Sequence, residues 1–461
     1  MRLPRRIAAL FLAASLVMPN LAPFAVAQSK GAANNLGLIR DAEIEGLLRN
    51  MTRPIFKAAG INPGAVKVYV IADDRINAFV AGGQRIFIHT GLLTKARTPS
   101  EVIGVMAHET GHIAGGHLAR LSNELERAST ERIIGMLVGA AAMVGAAASG
   151  NKNAVGAGRG IIAGTQGMAQ RNLLAYQRSM EASADQSALR YLETTKQSPK
   201  GMLTLFNKLA TDNLATLANA DPYMFSHPMP FERIRTLERE AKQSPYFEKS
   251  EDPGLVLRLD LAKAKLAGFM NSPQKVFQKY PPSNTSLPSR YARAIAMFRR
   301  GDIKNAMPIL DSLTDELPEN PYFWELKAQA FMENGQPAKG IPSIRKAREL
   351  LPNSGLLQHL NAAILLRTEN PKFADEALSL LRLAKKSEPD MPVIYKDMAR
   401  AYELKGDSAR ADLAAAEFAW TTGDKELAVK KAKLAQDRFK HGTPEWLRAN
   451  DILTFAKARK S

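Results

Sequence analysis

The sequence predicts a mainly α-helical protein in two parts: an N-terminal α-domain carrying a small β-sheet, then a C-terminal α-helical solenoid. Three observations predict it. Short β-branched runs beside glycines are confined to residues 66–90. From about 101 to 240 almost everything has helical spacing. Beyond a polar break at 243–254, glycine and proline recur 34 residues apart.

Composition bounds the chemistry. The chain has 461 residues, 45% hydrophobic, which fills ordinary cores and excludes wholesale disorder. It has no Cys, so disulfides, thiolate metal sites, a Cys nucleophile and a Cys-linked lipid anchor are excluded. Any metal must be held by His, Asp or Glu. The net charge of +18 permits anionic partners. Spread over this length, however, it describes a soluble basic surface, and no aromatic-basic platform for nucleic acid accompanies it.

The elements follow in order. Arg2, Arg5 and Arg6 precede an apolar run, Ile7 to Met18, broken by Pro19 and Asn20. Ala25-Val26-Ala27 then fits the small-x-small cleavage rule, so residues 1–27 read as an export signal. The alternative, a membrane anchor, needs about 20 apolar residues, and this run is shorter. The Arg5-Arg6 pair lacks the fuller twin-arginine context. Export, no Cys and no other spanning segment point to a bacterial periplasm or an extracellular space. Residues 37–59 have helical spacing (Leu38, Ile44, Leu47, Leu48, Ile55), closed by Gly60. Val66 to Ile71 reads as a strand. Phe79-Val80-Ala81 and Arg85 to Thr90 read as a hairpin about Gly82-Gly83. Ser100 is the expected N-cap of the next helix, with Glu101 in its first turn. The linker-like stretch 243–254 divides a domain over 28–250 from one over 251–461. In the second, Gly301 and Gly335 are 34 apart, as are Pro318 and Pro352, with looser units at Asn370, Pro389 and Gly406. Small residues stand five after a turn at Ala306, Gly340, Ala411 and Ala428. That period resembles tetratricopeptide repeats, whose stacked helix pairs form a concave surface for peptides or proteins.

The reactive residues cluster on one helix. His108-Glu109-Thr110-Gly111-His112 is an H-E-x-x-H pattern. On a helix, positions i and i+4 share a face, so two imidazoles reach one Zn²⁺ and Glu109 beside them reaches the water. A surface helix with spare histidines is the bland alternative; the apolar flank Val102, Ile103, Val105 and Met106 argues for burial instead. A third ligand is required. The zincin pattern with a His six residues on is excluded, because that position is Leu118. His117 lies about 140° round a continued helix and is expected to face away. Glu181 on a later helix is the better ligand, and Asp185, one turn on, can orient a ligand imidazole.

With Ser226-His227-Pro228 and Arg233-Ile234 added, these motifs resemble the CAAX-prenyl-protease and HtpX-type zinc metallopeptidases. Export and the repeats single out the periplasmic members that serve outer-membrane barrel assembly. The resemblance implies a zincin-type metalloprotease domain with one Zn²⁺ per chain, held by His108, His112 and Glu181, and Glu109 as general base. It also implies that His227 lies beside the metal, either as a fourth ligand that silences the enzyme or, moved aside, as an oxyanion donor. Arg233 is a second candidate oxyanion donor. The implied activity is endoproteolysis of misfolded or misassembled envelope proteins. The alternative is a repeat-based chaperone whose zinc site is mostly shut. Expected partners are unfolded outer-membrane proteins and, through the repeats, the barrel assembly machinery, with no nucleic acid. Substrate is expected along an edge strand near Ala78 to Thr90. The Gly/Ala-rich segment 133–168 reads either as a mobile lid or peripheral membrane-touching loop, or as a close-packed helical hairpin under the site.

Overall fold

The computed structural model describes residues 37–126, 174–214, 223, 226–228 and 230–458. The export signal and the segment 133–168 lie outside the described residues.

Four strands form one sheet: β1 (Leu38–Ile39), β2 (Lys67–Ile71), β3 (Ala78–Ala81) and β4 (Arg85–His89). Their order is β1-β2-β4-β3; β2 and β4 run parallel, and the other pairs antiparallel. Gly82 and Gly83 both take positive φ in the β3–β4 turn, as the hairpin reading requires. Only β3 of that hairpin is an edge, so the expected substrate edge shrinks to Ala78–Ala81. The first helix, α1, starts at Ala42 rather than 37. Leu38 and Ile39 instead pair with Val70 and Ile71, and the Asp41 carboxylate accepts from the Ile44 N–H to begin the helix.

Helix α2 (Thr90–Lys95) leads to α3 (Pro99–Ala114), which carries the H-E-x-x-H residues. Its N-cap is Thr98, not Ser100. Pro99 explains the difference: its fixed φ suits the first helical position, which moves Ser100 inside. Ser100 instead bonds Thr98 and Glu251. The described part of α4 covers 117–126, and that of α5 covers 174–194. Helices α6 (Lys200–Leu214) and α7 (Phe231–Ala241) complete this part.

One apolar core joins α1, β2, β4, α2, α3, α5, α6 and α7, with Leu48, Ile86, Ile88, Val102 and Met106 almost fully buried. The helix Pro253–Met270 contributes Leu259, Ala262 and Leu266 to the same core. Its opposite face, through Leu261 and Ala264, belongs to the core of the helices that follow. One helix therefore belongs to both cores.

From 287 onward the chain is helix pairs joined by short turns, 287–299 with 303–316, 321–333 with 337–350, and so on to 458. Gly301, Gly335 and Gly406 all adopt left-handed φ at the expected turns. The position 34 after Gly335 is Glu369, and it too is left-handed, at φ 56°. Ala306, Gly340, Ala411 and Ala428 are buried at helix crossings. A Cβ on Gly340 would approach the Ala328 carbonyl oxygen to 2.8 Å. Further along, Arg40 pairs with Glu388 and Lys67 with Asp390, so the helix array also meets the N-terminal sheet.

Candidate metal centre

Three segments bring the site together. His108 and His112 project from one face of α3, Glu181 and Asp185 from one face of α5, and His227 precedes α7. Ligand-capable atoms of His108, His112, Glu181 and His227 all lie within 4.8 Å of one another. The close approach of α3 and α5 depends on Gly111. A Cβ there would stand 2.9 Å from both Cα and O of Ala184, between the two acidic residues of α5. The H-E-x-x-H pattern leaves this position open, whereas the helix crossing permits only glycine.

The distances suit one small tetrahedral cation. At metal–ligand lengths of about 2.1 Å, tetrahedral ligand atoms are about 3.4 Å apart. Here His108 Nε2 is 3.0 Å from His112 Nε2 and 3.3 Å from Glu181 Oε2. His112 Nε2 is 3.3 Å from Glu181 Oε1. His227 Nδ1 is 3.1 Å from Glu181 and 3.4 Å from His108 Nε2. A donor set of imidazoles and one carboxylate fits zinc.

Glu109 is fully buried, and both of its carboxylate oxygens are without a hydrogen-bond partner. Its nearest basic atom is His227 Nε2, at 3.4 Å. Burial pushes its pKa up. An unpartnered carboxylate at such a place is costly unless something polar is to occupy the space beside it.

Asp185 lies where an orienting group should, with Oδ1 2.9 Å from His108 Nδ1. Burial lowers the His108 pKa, but its contacts with Asp185 and Glu181 outweigh this and hold it at about 9. Burial pushes His112 down to about 3 against the pull of Glu181. Glu181 is held well below the usual carboxylate range, despite burial, by His227 and the other two histidines.

Arg233 is placed differently from expectation. Its Nε and Nη2 donate to the two oxygens of Asp185 at 2.6 and 2.9 Å. Its Nη1 donates to the Pro228 carbonyl and lies 2.9 Å from Glu181 Oε2. The guanidinium is thereby committed to two buried carboxylates and to the turn that carries His227. These are the contacts of a group that positions Asp185, Glu181 and the His227 turn. A guanidinium matches a carboxylate in this bidentate way, and sequence spacing could not foretell which partner it would take.

His117 is a second correction. It does not face away: its Nδ1 lies 2.9 Å from His112 Nδ1. Helix α3 ends at Ala114 and Gly116 turns left-handed, so the 140° of a continued helix does not apply. Tyr223 was not foreseen. It is fully buried, with its ring centroid 4.6 Å from that of His227 and 5.8 Å from that of Phe206. Its place four residues before His227 was the available signal.

A mostly helical domain with a small sheet, an H-E-x-x-H helix and a glutamate from a later helix define a metallopeptidase. Residues 40–241 match the sequence model of peptidase family M48. The chain is similar to the beta-barrel assembly-enhancing proteases of Escherichia coli, 24% identical over 88% of this chain and 77% of that one, and of Yersinia pestis, 23% identical over 82% and 76%. It is 28% identical to a putative beta-barrel assembly-enhancing protease of Vibrio cholerae over 63% of this chain. That match spans 59% of the Vibrio protein, less than two thirds of its length. Among the described residues, no helix is long and apolar enough to cross a membrane.

Proposed function

We propose that the protein is an exported zinc endopeptidase of the periplasm that hydrolyses misfolded or misassembled envelope proteins in support of outer-membrane assembly. The observation that carries the reading is the convergence of His108, His112 and Glu181 beside the buried, unpartnered Glu109 carboxylate. His108, His112 and Glu181 would hold the metal, which when bound supplies Lewis acidity to a scissile carbonyl and acidifies a water. Glu109 takes a proton from that water and passes it to the leaving nitrogen. Asp185 fixes His108 with its lone pair toward the cluster. Among the described residues β3 is an edge strand, which offers backbone groups to an extended substrate. The tetratricopeptide-like helix pairs present the surface for client proteins and for the barrel assembly machinery. The names of the similar proteins support this assignment to assembly.

A second reading has its own observation. His227 Nδ1 sits among the ligand atoms, where a reacting water would have to be. With His227 so placed the site is shut, and the molecule acts as a repeat-based chaperone until His227 moves. Casein cleavage by the zinc-loaded chain tests both readings. His227→Ala is expected to cut faster than wild type, and Glu109→Gln to bind zinc and lose cleavage about 10²–10⁴-fold. Undiminished cleavage by Glu109→Gln contradicts the enzyme reading. Slower cleavage by His227→Ala contradicts the shut-site reading.

A further inference from the structure

We infer that His117 is a positioning residue of the metal centre, a neutral hydrogen-bond acceptor that fixes the tautomer and ring orientation of His112. The inference rests on the reading of His112 as a metal ligand through Nε2. That atom faces His108 and Glu181 at 3.0 and 3.3 Å. The other ring nitrogen, Nδ1, faces His117 Nδ1 at 2.9 Å, with the two rings nearly perpendicular at 80°. Two ring nitrogens at that distance share one hydrogen. For Nε2 of His112 to offer a lone pair, its proton must be on Nδ1. His112 then donates and His117 Nδ1 accepts, which puts the His117 proton on Nε2.

The local sequence builds this contact. Gly115 caps α3, with its N–H bonded to the Gly111 carbonyl. Gly116, at φ 61°, folds the chain back in a conformation that L side chains rarely adopt. Gly115 supplies the space: a Cβ there would lie 2.3 Å from His117 Nε2 and 2.6 Å from its Cδ2. One glycine provides the turn and the other the room, and His117 is left only 5% exposed. The two ligand histidines are thus oriented by different groups, His108 by the Asp185 carboxylate and His112 by an uncharged imidazole. An uncharged acceptor fixes the ring without adding a further negative charge to a site that already holds Glu181, Asp185 and Glu109.

The test is zinc affinity of the full chain, measured by competition with a chromophoric chelator. His117→Phe keeps a ring but cannot accept a hydrogen bond, and is expected to bind zinc about 10–100-fold more weakly. His117→Gln, which retains an acceptor, should recover most of that loss. Wild-type affinity in His117→Phe overturns the inference. If wild type binds no zinc, or Glu181→Gln binds it equally well, the metal-centre reading itself fails, a distinct result. Should His117→Phe not fold, imidazole ¹⁵N spectra of zinc-loaded wild type decide: His112 protonated at Nδ1 and His117 at Nε2 support the inference, and the reverse tautomer at His117 overturns it.

Discussion

Protons and metal compete for the same lone pairs at this site. In the metal-free protein the His108 pKa, raised to about 9, leaves that imidazole charged at neutral pH. The sign follows: its ion pairs with Asp185 and Glu181 stabilise the metal-free fold fully below about pH 6.5, and this is lost as pH rises through about 9. His112, pushed down to about 3, is already neutral and releases nothing. Zinc binding near pH 7.5 should therefore release about one proton from His108. Calorimetric titration in buffers of different ionisation enthalpy measures it, and a release near zero contradicts the assignment. At this scale the sequence was informative where chemistry fixes spacing. His108, Glu109 and His112 follow from one turn of helix, and Glu181 with Asp185 from the next such pair. His117 was misread, because helix α3 ends three residues before it, and the carboxylate that Arg233 takes, 48 residues away, is not visible in spacing.

At the scale of elements, helix contacts set the accuracy of the site. Gly111 lets α3 and α5 approach until Ala184 backbone atoms stand where its Cβ would be. Gly111→Val must push the helices apart, and it is expected to lower zinc occupancy more than it lowers the unfolding midpoint. Metal analysis beside thermal denaturation checks this; full occupancy would show that the crossing has slack. The elements themselves were legible. The β3–β4 turn and the repeat turns were visible as glycines at positions needing positive φ. The turn at Glu369 was less so, since a non-glycine residue carries the same left-handed backbone there. The first strand was hidden because Leu38 and Ile39 continue the apolar pattern of α1, and only pairing with β2 reveals their state.

Across the whole molecule, peptidase and repeats are joined through a buried charge cluster. Lys265 Nζ lies 2.7 Å from Asp41, 3.4 Å from Glu43 and 3.3 Å from Glu325. Tyr291 donates to Glu43 at 2.8 Å. These groups come from α1, the shared helix 253–270 and the first helix pairs. Lys265→Ala strands three carboxylates around one lost cation, at a cost of about 3–5 kcal/mol. A drop in the unfolding free energy of that size is expected, and a change under 1 kcal/mol contradicts it. The polar stretch 243–254 gave no sign of this joint, because a linker composition says nothing about which faces of the next helix are buried. Truncations meant to isolate the peptidase should keep residues 253–270, whose Leu259 and Leu266 lie in its core.

The most direct measurement is the zinc content of purified full-length wild type, Glu109→Gln and Glu181→Gln by elemental mass spectrometry. One zinc per chain is expected in the first two and little or none in Glu181→Gln. Stoichiometric, equally tight zinc in Glu181→Gln would contradict it.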